Sequence, residues 1–171
     1  ESIARFDWRS DIPVRRETVS HADKLVILFH EGEGFAGPEH LLSALYANGI
    51  DDAIIEVNNF QAPVMRNSAK AYAEALTAAR WPEQGRPWVI TRPVIIREAD
   101  GALRYLLLPH DGLRVSYLLD FGEPVLGRQW ESVEVTPERY RELIAPARNF
   151  VFAKDLPDEL PGKGSNINWA G

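Results

Sequence analysis

The sequence has no cysteine among its 171 residues. Disulfide bonds and thiolate metal sites are therefore excluded, and nothing points to an oxidising compartment, so we expect the protein in the cytoplasm. Basic residues are also in deficit, because 19 lysines and arginines stand against 25 aspartates and glutamates, a net charge of −6. Since binding to a nucleic-acid backbone usually needs a basic face, the charge balance argues against nucleic acid as a partner.

Long hydrophobic runs are missing as well. No stretch approaches the ~20 apolar residues that cross a bilayer, and residues 1–5 do not form a signal peptide, so we expect no transmembrane segment. Hydrophobic residues make up 45% of the chain and charged residues 26%, which is typical of a globular protein with a core. The missing initiator methionine and the lack of a closing helix or tail predict a chain that is cut at both ends.

The first half of the chain predicts three strands and two helices. The strands are short runs that are either apolar or alternating: 3–8, 25–29 and 53–57. One helix is predicted over 38–48, with Gly49 as its C-terminal cap, and a second over about 67–79. The glycine-rich segment 31–34 is expected to be a loop.

The second half begins after residues 81–87, whose composition is that of a linker and where we place a domain boundary. Strands are predicted over four segments: 88–97, 102–108, 113–119 and one that ends near 133. Asp-Gly pairs at 100–101 and 111–112 predict hairpin turns between the first three strands. A helix over 136–144, with Thr136 as its N-cap, and a short strand over 150–152 follow.

Each half therefore contains strands and helices. This pattern predicts an α+β fold of two modules, each a two-layer sandwich of a small sheet against helices. The modules would span 1–81 and 88–171, and the second would be incomplete. The weak echo between the halves predicts a duplicated module.

Three segments of the sequence resemble one known enzyme family. Segment 38–57 contains Glu-His-Leu, a helix rich in small residues, Gly-Ile-Asp, and a run ending in Glu-Val. Segment 63–69 reads Pro-Val-Met-Arg-Asn-Ser-Ala, and 129–152 contains a strand, a Thr-Pro helix start and Ala-Arg-Asn-Phe-Val-Phe. In this order and at these separations, the segments resemble the UDP-3-O-acyl-N-acetylglucosamine deacetylase (LpxC) family over about 3–156.

The resemblance implies a zinc-dependent enzyme that hydrolyses the N-acetyl group of a UDP-linked acylated amino sugar in lipid A biosynthesis. On that template Glu39 is the general base and His40 is a ligand of Zn²⁺. Asn149 stands where the family has a threonine that stabilises the oxyanion, and an amide can also donate a hydrogen bond there. Phe150 would line the substrate pocket.

The chain also departs from the family pattern. The family's other zinc ligands, a histidine and an aspartate one helical turn apart, fall beyond Gly171, as does its general-acid histidine. Because a catalytic zinc site normally has three protein ligands and a water, the resemblance implies that a missing segment or a partner chain completes the site. Arg66 and Asn67 replace an Asp-Gly pair and Gly37 replaces a threonine, which suggests a divergent branch.

Several alternatives stay open. A descendant that kept the fold and lost the metal would be a non-catalytic binding or scaffold module. His30, Glu31 and Glu33 could form a separate metal cluster, although a solvated loop is the simpler interpretation. Asp120 and Glu123 could be paired carboxylates, although a turn is the commoner use of such residues.

Overall fold

The computed structural model describes residues 11–22, 25–63, 65–77, 89–97, 104–122, 124, 126–149, 151–152 and 169–170. Short helices and small separate sheets confirm the α+β class. The expected strand over 3–8, the linker over 81–87 and the Asp-Gly pair at 100–101 lie outside these residues. The domain boundary and the duplication of the module stay predictions. No helix within these ranges is long and apolar enough to cross a membrane.

The first sheet is an antiparallel meander of three strands in the order β1-β2-β3. Its members are β1 (Val19–Ala22), β2 (Leu25–His30) and β3 (Glu33–Ala36). Strand β2 confirms the strand expected over 25–29, because a continuous apolar run of this length suits a strand inside a sheet.

The loop expected over 31–34 is shorter than predicted. The turn occupies Glu31 and Gly32, which have positive φ angles of 48° and 91°, and Gly34 already belongs to β3. Gly34 therefore serves close packing, since a Cβ atom at this position would lie 2.8 Å from the Phe60 ring. A glycine can mark a turn or a strand position where a neighbour approaches closely, and the sequence pattern does not distinguish the two.

The strand expected over 53–57 is wrong, because this segment has no regular structure. The free edge of β3 pairs with a later segment instead: Ala36 donates its N–H to Phe60 O at 2.8 Å and accepts from Ala62 N–H at 2.9 Å. Ile54, left without a sheet to pack on, is 94% exposed. An apolar run forms a strand only where a partner offers its backbone groups.

Two helices follow and pack on each other. Helix α1 (Glu39–Ala47) confirms the helix over 38–48, and Gly49 ends it in the left-handed conformation, with φ 69° and its N–H bonded to Tyr46 O at 2.9 Å. Helix α2 (Lys70–Thr77) lies within the range expected for the second helix. It follows a tight turn, Met65–Asn67.

The second half contains two antiparallel hairpins. One joins β4 (Val94–Arg97) to β5 (Arg104–Leu107), and the other joins β6 (Arg114–Asp120) to β7 (Arg128–Glu134). The hairpin turn expected at Asp111-Gly112 is therefore wrong, because β6 pairs with β7 and not with β5.

Cross-strand chemistry explains the observed pairing of β6 with β7. Three partners in this register form side-chain bonds across the strands: Arg114 with Glu134 at 2.8 Å, Ser116 with Ser132 at 2.8 Å, and Asp120 with Arg128 at 2.7 Å. These long-range matches decide the register, whereas an Asp-Gly pair specifies only that the chain turns.

The last helical segment carries the expected cap. Thr136 Oγ1 accepts a hydrogen bond from Arg139 N–H at 3.2 Å and begins α3 (Pro137–Arg139). The helix then widens into a π-helix, Tyr140–Ile144. Beyond it, the short strand β8 (Val151–Phe152) pairs in parallel with β9 (Trp169–Ala170).

The core lies between α1, α2 and this π-helix. One buried cluster has four alanines around a single tyrosine: Ala44, Ala69, Ala73, Ala145 and Tyr140. A second cluster unites Leu41 and Leu45 of α1 with Ile50. Because Tyr140 and Ala145 belong to the second half of the sequence, this core joins α1 and α2 to residues that lie after the expected linker.

Candidate functional site

Helix α1 begins with the two residues that the sequence singles out. Glu39 is exposed on its first turn, where the helix dipole favours a negative charge. His40 is half-buried, and its Nε2 atom is buried with no hydrogen-bond partner in the part of the chain that the structure describes.

An imidazole nitrogen that is buried with no partner among the described residues is a physical anomaly. Leaving a buried polar atom unpaired costs about 1–3 kcal/mol, and most such atoms in native proteins have a partner. A neutral histidine nitrogen is also the commonest metal ligand in proteins. The Nε2 atom of His40 is therefore suited to be a metal ligand. This observation supports one ligand of the expected zinc site and does not concern the others.

Asn149 is exposed and is held through its backbone. Its N–H donates to Asn67 O at 3.1 Å, and the neighbouring residues Ser68 and Arg148 form an antiparallel bridge. The segment that carries Asn149 is thus fixed to the turn that precedes α2. Phe150 lies outside the described residues.

The turn that holds Asn149 is strained. Met65, Arg66 and Asn67 have φ angles of 44°, 60° and 56°, all in the left-handed region. This region costs residues such as methionine and arginine about 1–2 kcal/mol each, and asparagine tolerates it better. Strained backbone persists only where the surrounding structure over-determines it, and it clusters at functional sites.

The start of α1 and the turn that holds Asn149 are close together because residues near each of them pack in one cluster. Ala44, one helical turn after His40, and Ala69, two residues after Asn67, lie in the same buried cluster. No hydrogen bond links the side chains of Glu39 or His40 to that of Asn149 among the residues with described positions. The structure therefore places the segments side by side without joining the candidate groups directly.

The other candidate clusters have structural uses. His30 Nε2 lies 3.8 Å from Glu31 Oε1, and Glu33 lies opposite His30 in the β2–β3 pair. Within the described ranges no three histidine, aspartate or glutamate side chains are grouped so that they could hold a metal ion. The hypothesis of a metal cluster at His30, Glu31 and Glu33 is therefore wrong.

Asp120 ends strand β6 and holds the turn that follows it. Its Oδ1 accepts from Gly122 N–H at 3.0 Å and its Oδ2 from Arg128 Nε–H at 2.7 Å. The Arg128 hydrogen bond, followed by that of Gly122, holds the pKa of Asp120 below its ordinary value. Glu123, its suggested partner, lies outside the described residues.

Two further residues contact the site and were assigned no role from the sequence. Ser43 Oγ lies 3.0 Å from His40 O and 2.8 Å from the hydroxyl of Tyr140. Ser43 could be suspected from its spacing, because a residue three positions after His40 lies on the same helix face. Tyr140 could not, because 97 residues separate it from Ser43.

Comparison with known proteins identifies the family. A family model described as LpxC, UDP-3-O-acyl N-acetylglycosamine deacetylase, matches residues 3–164. The chain belongs to the LpxC family.

LpxC relatives with a curated name confirm this assignment. The chain is similar to UDP-3-O-acyl-N-acetylglucosamine deacetylases of Oleidesulfovibrio alaskensis (37% identity, covering 73% of this chain and 41% of the relative) and of Anaeromyxobacter dehalogenans (32%, covering 91% and 51%). It is also similar to the deacetylase of Helicobacter pylori, with 30% identity over 89% of this chain and 52% of the relative. The chain spans about half the length of these LpxC relatives.

Proposed function

We propose that this protein acts as an LpxC-type deacetylase, a zinc-dependent hydrolase that removes the N-acetyl group of UDP-3-O-acyl-N-acetylglucosamine in lipid A biosynthesis. A UDP-linked acylated amino sugar as substrate and a cytoplasmic location are part of this proposal. The observation that supports it most directly is the buried Nε2 of His40, which has no hydrogen-bond partner among the described residues and lies beside Glu39 on the first turn of α1.

Each candidate side chain has a chemical task in this reaction. His40 would contribute one ligand, and the remaining ligands would come from residues outside the described part or from a partner chain. Bound zinc supplies Lewis acidity and lowers the pKa of its water. Glu39 would accept the proton of the attacking water as general base.

The acetamide oxygen gains negative charge as water attacks. The side-chain amide of Asn149 would donate a hydrogen bond to that oxygen, and such donors act most strongly when they are preorganised. The bond from Asn149 N–H to Asn67 O supports this role, because it fixes the segment before substrate arrives. Phe150 would line the pocket for the substrate.

The test is acetate release from UDP-3-O-acyl-N-acetylglucosamine by the protein expressed from its complete open reading frame, with zinc present. Glu39→Ala should lower kcat/KM by about 10²-fold or more, because it removes a general base, and His40→Ala should also weaken zinc binding. Matched controls are Glu74→Ala, an exposed carboxylate on α2, and His110→Ala, a surface histidine of the second half. Both controls should retain activity.

Two outcomes would contradict the proposal. If the wild type and both site variants release acetate equally, Glu39 and His40 have no role in the reaction. Substrate binding without any acetate release would favour the non-catalytic binding module instead.

A further inference from the structure

A short hydrogen-bonded chain leads from the interior to the residue proposed to hold the metal. Ser43 Oγ donates to the backbone oxygen of His40 at 3.0 Å and lies 2.8 Å from Tyr140 Oη. A serine hydroxyl has one proton. Since Ser43 gives that proton to His40 O, the Tyr140 hydroxyl must be the donor to Ser43, and the chain runs from Tyr140 through Ser43 to His40.

The ring of Tyr140 is held in one position by the core, so its hydroxyl can donate to Ser43 in a fixed geometry. Its side chain is 3% exposed among four alanines of the core, so the ring has little room to change its orientation. Burial raises the pKa of its hydroxyl, and the hydrogen bond with Ser43 opposes that shift only in part.

The backbone at Tyr140 is also unusual. It opens the π-helix, and its carbonyl accepts from Ala145 N–H at 2.7 Å, a bond between residues five apart. Single π-turns are rare and are frequent at functional sites. Here the π-turn lies where the ring of Tyr140 enters the cluster formed with α1 and α2.

We infer that Tyr140 is a positioning residue for His40, acting through Ser43 to fix the first turn of α1 in the orientation that ligand binding by Nε2 requires. The inference rests on the proposed role of His40 as a zinc ligand. Groups bonded directly to the ring of a ligating histidine typically change metal affinity by about 10–100-fold when they are removed. Because Ser43 contacts the backbone oxygen of His40 and not its ring, we expect an effect near the lower end of that range.

The test measures the dissociation constant for Zn²⁺, added as the metal alone in competition with a chelator, on the protein from the complete open reading frame. Tyr140→Phe removes the hydroxyl and keeps the ring, and Ser43→Ala removes the link. Each should weaken Zn²⁺ binding about tenfold, near the lower end of the range for such partners. Ser43→Thr, which keeps a hydroxyl, should restore the affinity of the wild type.

The matched control is Tyr72→Phe. Tyr72 packs against the same cluster and donates its hydroxyl to Pro63 O at 2.7 Å, away from His40. Both tyrosine variants should lower the thermal midpoint by similar amounts, but only Tyr140→Phe should change zinc affinity. A purely structural role of Tyr140 would change the midpoint and leave the affinity alone.

The outcomes separate this inference from the proposed function. If His40→Ala abolishes zinc binding while Tyr140→Phe and Ser43→Ala bind like the wild type, the positioning role is wrong and the proposed function stands. If His40→Ala binds zinc like the wild type, both are overturned. Should Tyr140→Phe fail to fold, the comparison of Ser43→Ala with Ser43→Thr decides, and equal affinities would reject the inference.

Discussion

The helical region and the hairpin region of this molecule treat apolar side chains in opposite ways. In the helical region, α1, α2 and residues 140–145 bury small side chains around Tyr140. In the hairpins β4–β5 and β6–β7, large apolar side chains stay open to solvent, and Ile95 is 59% and Trp130 63% exposed. The helical region is therefore stabilised mainly by side-chain packing, and the hairpin region mainly by pairing between strands.

The difference favours the helical region as the place for the proposed site. A catalytic group must be held within a fraction of an ångström by locked neighbours, and tight packing among alanines provides this at α1. The β6–β7 hairpin carries surface pairs such as Arg114–Glu134 and Asp120–Arg128, which are individually weak in water. Glu39 and His40 lie on the packed region.

The largest expected effect comes from removing the central side chain of the helical region. Tyr140→Ala leaves a cavity among the four alanines, and truncating a buried aromatic residue costs about 3–5 kcal/mol of the free energy of unfolding. Urea denaturation followed by circular dichroism measures the loss as a lower midpoint with an unchanged slope.

Trp130→Ala is the matched control from the hairpin region. Trp130 is the larger side chain, but most of it is already in contact with water, so its removal should change the free energy of unfolding by about 0.5 kcal/mol, as is usual for surface positions. Equal losses for the two variants would show that the hairpin is covered by other chain in solution, and the comparison between the regions would fail.

Local signals made the helices predictable. The side chain of Thr136 caps a helix by bonding to a residue three positions away, and Gly49 ends one by adopting a conformation that L-residues avoid. Both effects involve neighbours in sequence. The strand expected over 53–57 and the hairpin expected at Asp111-Gly112 failed because a strand depends on a distant partner, here Phe60–Ala62 for β3 and β7 for β6.

In the candidate site, too, some features follow from the local sequence and others depend on residues far away in the chain. Glu39 and His40 were identified from one short motif, and their place at the start of a helix follows from the residues around them. The roles proposed for them, and for Asn149 and Phe150, stay predictions. The contact of Tyr140 with Ser43 could not be foreseen, because no local pattern tells which of five tyrosines enters the core.

The strained turn before α2 tests whether the helical region is rigid enough to impose a backbone conformation. Arg66 has φ 60°, which glycine adopts without the steric cost of a Cβ atom. Arg66→Gly should therefore be more stable than Arg66→Ala by about 1 kcal/mol, measured from urea midpoints. Both variants lose the same side chain, so their difference isolates the backbone, and a more stable alanine variant would show that the turn is not strained in solution.

The smallest effect, and the one that belongs to the hairpin region alone, is a pH dependence centred on Glu134. Its carboxylate accepts hydrogen bonds from Arg114 Nε and His110 Nε2, both at 2.8 Å, and the Arg114 bond above all holds the pKa of Glu134 below its ordinary value of 4.5. A carboxyl whose pKa is lower in the folded state binds fewer protons there than in the unfolded state. Its contribution to stability is therefore complete above the ordinary pKa and is lost as the pH falls through the folded value.

Glu134→Gln removes this charge at every pH. The wild type should exceed it in stability at neutral pH, and the difference between their urea midpoints should shrink as the pH is lowered below 4.5. Salt should shrink the difference as well, because Glu134 and its partners lie at the surface. Glu131→Gln, on the same strand, is the control, since Glu131 accepts only from the adjacent Ser132 N–H among the described hydrogen bonds. If the stability difference between the wild type and Glu134→Gln stays constant across this pH range, the charge of Glu134 does not stabilise the pairing of β6 with β7. Side-chain packing would then stabilise this hairpin, as it does the helical region.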